Sequence, residues 1–376
     1  MSTILIIACQ KEPILTQEDL NASAKKSQAN HSYEFDYPVF DIASTPDGSI
    51  MLGLNDESRS IKLIKNGEVR DMVSLHSPTR INGIATIGAG NAFVTTEGSD
   101  LAQDGELYRI SNGNVRMVAD LADFEFNNDP DANEGLQWKN VLCEESADFS
   151  AGPQNNPFKV IAVSGSTAFV ADAAGNTILE ASTTGAVDWK AILPPPLENG
   201  DFKLLFSINS DIPCYVQPVP TSLALGPDGY LYVGELTGAV AGGFPIGLSR
   251  IWKLPADGSH LVCQEDTGDC EVFKKGLTSI IDMEIGPDGR LYVVQFDQSS
   301  WFSVFVPDLA QGGTITAYDL NDMDPTSEGE IVAGNLSFPS AITFDNKGNL
   351  WVLENNDVNN PVIGKKPVVR MLDYSL

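Results

Sequence analysis

Four oxygen-bearing side chains recur at one place in the chain: Asp172, Glu235, Gln295 and Glu354 each end a short apolar run that follows a turn. Two further runs carry Leu54 and Thr96 there, with Asn55 and Glu97 one step later. A second shared place, upstream of each turn, holds Asp41, Lys159, Ser222 and Asp282, with Gly83 and Ala341 in the remaining copies. Asn82 and Asn156 stand just before it. Gathered at one opening, such groups form a convergent polar pocket that could do two kinds of chemistry. Hard oxygens such as Glu235, Asp282, Glu354 and Asp172 suit Ca²⁺, which accepts carboxylates and amides in flexible geometry. Paired carboxylates could instead perform general acid–base hydrolysis of a lactone or ester. The plainer alternative is that these groups satisfy loop N–H groups and one another through water. The run Asn127-Asn-Asp-Pro-Asp-Ala-Asn-Glu134 is a further Ca²⁺ candidate, although it lacks the spaced Glu of an EF-hand loop.

Nucleophilic catalysis finds little to work with. The chain has only His31, His76 and His260, and neither Gly-x-Ser-x-Gly nor His-Glu-x-x-His occurs. Gly88-Ala-Gly90 lacks the third glycine of a dinucleotide loop and falls at a hairpin turn.

The elements that must position these groups are read from a repeat. Pro220-Thr-Ser-Leu-Ala-Leu-Gly-Pro-Asp-Gly-Tyr-Leu-Tyr-Val-Gly-Glu235 aligns with Ile280–Gln295 and Pro339–Glu354. Asp41–Leu54, Ile81–Thr96 and Asn155–Asp172 are earlier, more divergent copies. Each is a hairpin: an apolar strand, a Pro-Asp-Gly or equivalent turn in which Gly accepts φ > 0, then a strand with an aromatic. Third strands follow, among them Ile61-Lys-Leu-Ile and Ser249-Arg-Ile-Trp-Lys-Leu, and often a fourth, such as Glu68-Val-Arg-Asp-Met-Val. Four strands repeated six times predict an all-β, six-bladed β-propeller. The turns mark one rim, so the start of strand one and the end of strand two share the opposite rim. Insertions 123–154 and 194–218 belong to that rim, and the ligand is expected at its channel mouth. The domain reading is a lipoprotein signal remnant over residues 1–9, a flexible tether over 10–36, and the propeller over 37–376.

Composition agrees. Hydrophobic residues make up 42% of 376, enough for a sizeable core, and Gly 33 with Pro 22 supply many turns. The net charge of −28 leaves no basic inventory for phosphate neutralisation, so nucleic acid is excluded as a partner. Ile6-Ile7-Ala8-Cys9 resembles a bacterial lipobox, which makes Cys9 the expected lipidation site and a membrane the expected partner. The apolar run before it is short and lacks a basic flank, so a start codon upstream is expected. Cys263 and Cys270 flank a Gly-Asp turn and should pair across a hairpin; Cys143 and Cys214 then remain as a second pair, as an oxidising compartment favours. The expected location is the cell envelope.

The segment Val219–Gly238, continuing to Phe244-Pro and Ser249-Arg-Ile-Trp, resembles the ScyD/ScyE family of propeller proteins. Gly276–Val293 and Asn156-Pro-Phe-Lys-Val with Val170–Asn176 are similar to the same family, over roughly residues 37 to 374. More distantly the repeat is similar to NHL repeats and to lactonase-like propellers. The resemblance implies a six-bladed propeller and export. Lactonase-like propellers hold Ca²⁺ with channel-mouth carboxylate and Asn residues, a role that Asn82 and Asn156 loosely match.

Overall fold

The computed structural model describes residues 31–98, 104–134, 136, 153–206, 214–239, 244–265, 270–357, 359–360 and 363–374. Cys9 and Cys143 lie outside them, and with them the lipidation site and the second cysteine pair.

Short apolar runs, broken by glycine turns, fold the chain into six antiparallel sheets of four strands, arranged as the blades of a propeller. Blade one spans Val39–Ser44, Ile50–Leu54, Ser60–Lys65 and Glu68–Ser74; blade two spans Ile81–Gly88, Asn91–Thr96, Glu106–Ser111 and Asn114–Asp120. Blade three runs Pro157–Ala162, Thr167–Asp172, Thr177–Ser182 and Val187–Ile192. Leu261–Val262, next to the Cys263–Cys270 disulfide, adds a short parallel strand at its edge. Blade four is Pro220–Leu225, Tyr230–Glu235, Ser249–Pro255 and Glu271–Leu277; blade five is Ile280–Ile285, Leu291–Gln295, Gly313–Tyr318 and Glu330–Leu336.

Blade six supplies only Pro339–Phe344, Leu350–Glu354 and Val368–Met371 from the C-terminal part of the chain. Its outer strand is Ser32–Glu34, which pairs antiparallel with Val368–Arg370. The tether expected over residues 10–36 therefore ends earlier, because Ser32–Glu34 fills an edge that would otherwise leave open N–H and C=O groups. The first and last described strands join in one sheet, and this closes the ring.

Apolar side chains from facing blades form the core between sheets, with Trp252, Tyr232, Tyr292 and Phe93 fully buried. Burial of each such side chain contributes about 1.5–3 kcal/mol. The turns carry a local fastening: Asp228 and Asp288 of two Pro-Asp-Gly turns accept the Tyr232 and Tyr292 hydroxyls, each at 3.0 Å. One irregularity positions the channel. In all six blades the ladder between strands one and two slips just before the channel-facing position, for example between Pro157 and Lys159 and between Ile280 and Asp282. A bulge of this kind re-aims the following side chain. Here it lets Asp41, Lys159 and Asp282 meet at the axis.

The first insertion opens with a helix, Leu121–Asn128, capped by the Asp120 side chain on the Asp123 N–H at 2.9 Å, and continues through the short turn Pro130–Asn133. The second folds into two small hairpins, Leu197–Glu198 with Asp201–Phe202 and Leu204–Phe206 with Cys214–Tyr215.

Candidate functional site

The residues expected to converge at one mouth separate into three groups. The first lies on the axis. Lys159 Nζ sits 2.8 Å from Asp41 Oδ1 and 2.7 Å from Asp282 Oδ1, bridging blades one, three and five. The intervening blades carry the small residues Gly83, Ser222 and Ala341 at the matching position. At Gly83 a Cβ would come within 2.4 Å of the Phe158 carbonyl oxygen, so the backbone of blade three already fills that side. Asp41 Oδ2 accepts the Ile84 N–H and Asp282 Oδ2 the Ile342 N–H, both at 2.9 Å, which ties each carboxylate to the next blade. Burial alone would lower the Lys159 pKa, but Asp282 and Asp41 outweigh it and hold the ammonium charged. Burial pushes Asp41 up, partly offset by Lys159. Together the three side chains plug the channel. On the insertion side Phe40, Asn82, Phe158, Ile281 and Ser340 close over them and leave no space for a water molecule.

The second group comprises the ends of strand two, and these are fasteners. Glu235 takes Arg250 through Nη2 and Nε, both at 2.8 Å, and the Trp252 indole N–H at 2.7 Å. Gln295 accepts the Thr278 N–H at 2.8 Å, and Glu354 accepts the Ser337 N–H at 2.7 Å and Arg370 Nε at 2.5 Å. Asn55 does the same for the Ile81 N–H at 2.7 Å in blade one. Gln295 and Glu354 lock the loops that feed their blades, Glu235 fastens the third strand of its own blade, and Asn55 holds the start of blade two, which is the plainer role open to such residues. The trio expected to hold a metal, Glu235, Asp282 and Glu354, is thereby dispersed, and each carboxylate already faces a cation of its own. Ser222 contributes no ligand atom here; its buried hydroxyl lies over Gly234, whose Cβ would meet it at 2.4 Å.

The third group joins blades two and three. Asn82 Nδ2 donates to Asn156 Oδ1 at 2.9 Å, and the Asn156 N–H donates to Asp172 Oδ1 at 2.7 Å. Asp172 Oδ1 also accepts from Ala174 and Gly175, at 3.2 Å and 3.1 Å. His76 stands exposed on a left-handed turn and meets none of these groups.

An open cavity does exist, on the rim opposite the one expected. About 300 Å³ in volume, it is lined by the later halves of all six innermost strands, with Lys159 at its base. Its walls carry Ser44, Thr86, Thr343 and Glu284 among apolar residues such as Leu223 and Met283. The expected rim is closed because the bulges bring the charged plug near the start of strand one, which seals that end. Glu284 accepts the Phe344 N–H at 3.2 Å and the Thr343 hydroxyl at 3.3 Å. It is half-buried, enclosed by the ring yet open to the channel. That enclosure, reinforced by Asp282 against the pull of the Phe344 N–H and Lys159, pushes its pKa up to about 8. Sequence reasoning missed Glu284; the available signal was its spacing of two from Asp282, which on a strand means the same face.

A six-bladed β-propeller with an ion-paired plug across its channel is thus the class of protein that the fold and site define. Among solved structures it is similar to a putative oxidoreductase (glucose dehydrogenase) of Thermus thermophilus, at 12% identity and TM-score 0.53, covering 91% of this chain and 99% of that one. A protein of unknown function from Bacteroides thetaiotaomicron follows at 13% and 0.52, covering 92% and 73%. A gluconolactonase of Xanthomonas campestris matches at 12% and 0.50, covering 90% and 88%. At these identities the likeness is one of fold alone. No family model matches the chain, and neither does any curated protein.

Proposed function

We propose that this protein is an exported, lipid-anchored propeller that binds a small polar molecule at the turn-rim mouth of its channel. The observation that carries this reading is the cavity of about 300 Å³, to which every blade contributes a strand. That volume lies at the lower end of small-molecule sites, which combine apolar walls with a few placed polar groups. Glu284 and Thr343 supply hydrogen-bonding groups, and Lys159 a fixed positive charge at the base. Export and anchoring are supported by the Cys9 motif and by the resemblance to the ScyD/ScyE family. The hydrolytic alternative is weakened because the carboxylates it would employ are engaged with Lys159, Arg250 and Arg370.

A thermal-shift screen of neutral sugars, sugar acids, lactones and amino acids tests the binding reading. At least one class should raise the melting temperature, and Ala43→Leu, which fills the channel wall, should abolish that shift. A shift surviving Ala43→Leu would move the site elsewhere, and turnover of a lactone would revive the hydrolase. Cys9→Ser should release the protein from membranes; continued retention would end the anchoring claim.

A further inference from the structure

The helix Leu121–Asn128 carries Glu125 into the interior, and the turn after it carries Asp131; both are fully buried. One carboxylate oxygen from each of Glu125, Asp129 and Asp131 lies within 4.8 Å of the others. The turn of blade three brings Asp172 to the same place. Gly175 separates Glu125 from Asp172 so closely that a Cβ there would meet Glu125 Oε2 at 3.2 Å and Asp172 Cγ at 3.3 Å. No ion pair among the described residues involves Glu125, Asp131 or Asp172. Both Glu125 oxygens, Asp131 Oδ1 and Asp172 Oδ2 are buried without any hydrogen-bond partner among the described residues. Native structures rarely leave such atoms orphaned, and each one calls for an explanation.

We propose that Glu125, Asp129 and Asp131, with Asp172 adding its charge beside them, hold a divalent cation of the hard, oxygen-ligated kind typified by Ca²⁺. Ca²⁺–oxygen bonds of about 2.3–2.6 Å place ligands on opposite sides of the ion about 5 Å apart, which matches the 4.8 Å spread of Glu125, Asp129 and Asp131. A cation also resolves the electrostatics, because buried carboxylates must be compensated or neutralised. Protons are the competing solution: burial together with Asp172, Asp131 and Asp129 pushes Glu125 up to about 10. Shared protons suit the Asp129–Asp131 pair, whose side chains meet, but they leave Glu125 unserved, since neither of its oxygens has a hydrogen-bond partner among the described residues. The ion would clip the first insertion to blade three. Asn176, which donates to Asp131 Oδ2 at 2.9 Å and to Gln217 Oε1 at 2.5 Å, extends that clip to the second insertion.

Titration of EDTA-stripped full-length protein with CaCl₂ tests this. We expect one saturable site, a rise in melting temperature, and slower amide exchange across Leu121–Asn128. Glu125→Gln and Asp131→Asn should each weaken Ca²⁺ by more than the ~10–100-fold that loss of an outer partner costs. Glu354→Gln should leave Ca²⁺ binding unchanged. If the stripped wild-type chain binds neither Ca²⁺, Mg²⁺ nor Mn²⁺ up to about 5 mM, weaker than extracellular Ca²⁺ modules, the carboxyls hold protons and the proposal falls. Unaltered amide exchange in the wild-type protein, a measurement independent of whether the variants fold, would overturn it equally.

Discussion

The channel plug and the insertion cluster both bury carboxylates, and they treat the charge in opposite ways. At the axis, Asp41 and Asp282 flank Lys159 and also accept backbone N–H groups from neighbouring blades. Under the first insertion, Glu125, Asp131 and Asp172 meet no cationic side chain among the described residues and keep orphaned oxygens. A compensated set closes a structure, whereas an uncompensated one is waiting for something to compensate it. The distinction separates a ring-closing device from a binding site among residues of the same chemical type.

The largest effect that could break this comparison is Lys159→Met. It strands two buried carboxylates, and removing one partner of a buried ion pair costs about 3–5 kcal/mol. Urea unfolding should show that loss, and a change below about 1 kcal/mol would mean the plug is not what holds the axis. Adding Asp41→Asn and Asp282→Asn to the same chain should recover much of the stability, because a buried ion network replaced as a whole is often nearly neutral. Glu125→Gln, measured in EDTA, sharpens the contrast from the other side. Without a cation, burial and the neighbouring carboxylates hold the Glu125 carboxyl protonated, so the neutral, near-isosteric Gln should leave stability within about 1 kcal/mol. A loss comparable to that of Lys159→Met would place the two clusters in one category. The smallest effect concerns Glu284, whose pKa moves from an ordinary 4.5 to about 8 on folding. The folded state then binds more protons than the unfolded chain across that window. Its contribution is full below pH 4.5 and is lost as pH rises toward 8, and Glu284→Gln should flatten that part of the stability profile.

Much of the ring is legible in the sequence because its signals are local. Gly229, Gly289 and Gly348 all adopt φ near +80° at their turns, and each aromatic strand follows where the repeat places it. The Cys263–Cys270 pair is legible for the same reason, since its two halves stand seven residues apart. The polar residues are harder to read. Asp41, Lys159 and Asp282 can be assigned one shared position, but not one contact, because their meeting depends on where the ring closes. Glu235, Gln295 and Glu354 resemble ligands in the sequence because their partners, Arg250, Thr278 and Arg370, lie in other strands or loops. Ser32–Glu34 resembles tether because a three-residue strand has no periodicity to detect, and its partner lies at the far end of the chain.

What the sequence by itself determined is the blade: hairpin period, turn glycines and short apolar strand runs are set by neighbours a few residues apart. It also determined the acidity and the pairing of the two cysteines closest in the chain. Only the tertiary structure decided which end of the channel is open, which carboxylates are neutralised and which are left without a partner. Electrostatic compensation acts through space at a few ångströms, and residues more than a hundred positions apart become neighbours only when the last sheet takes its outer strand from the beginning of the chain.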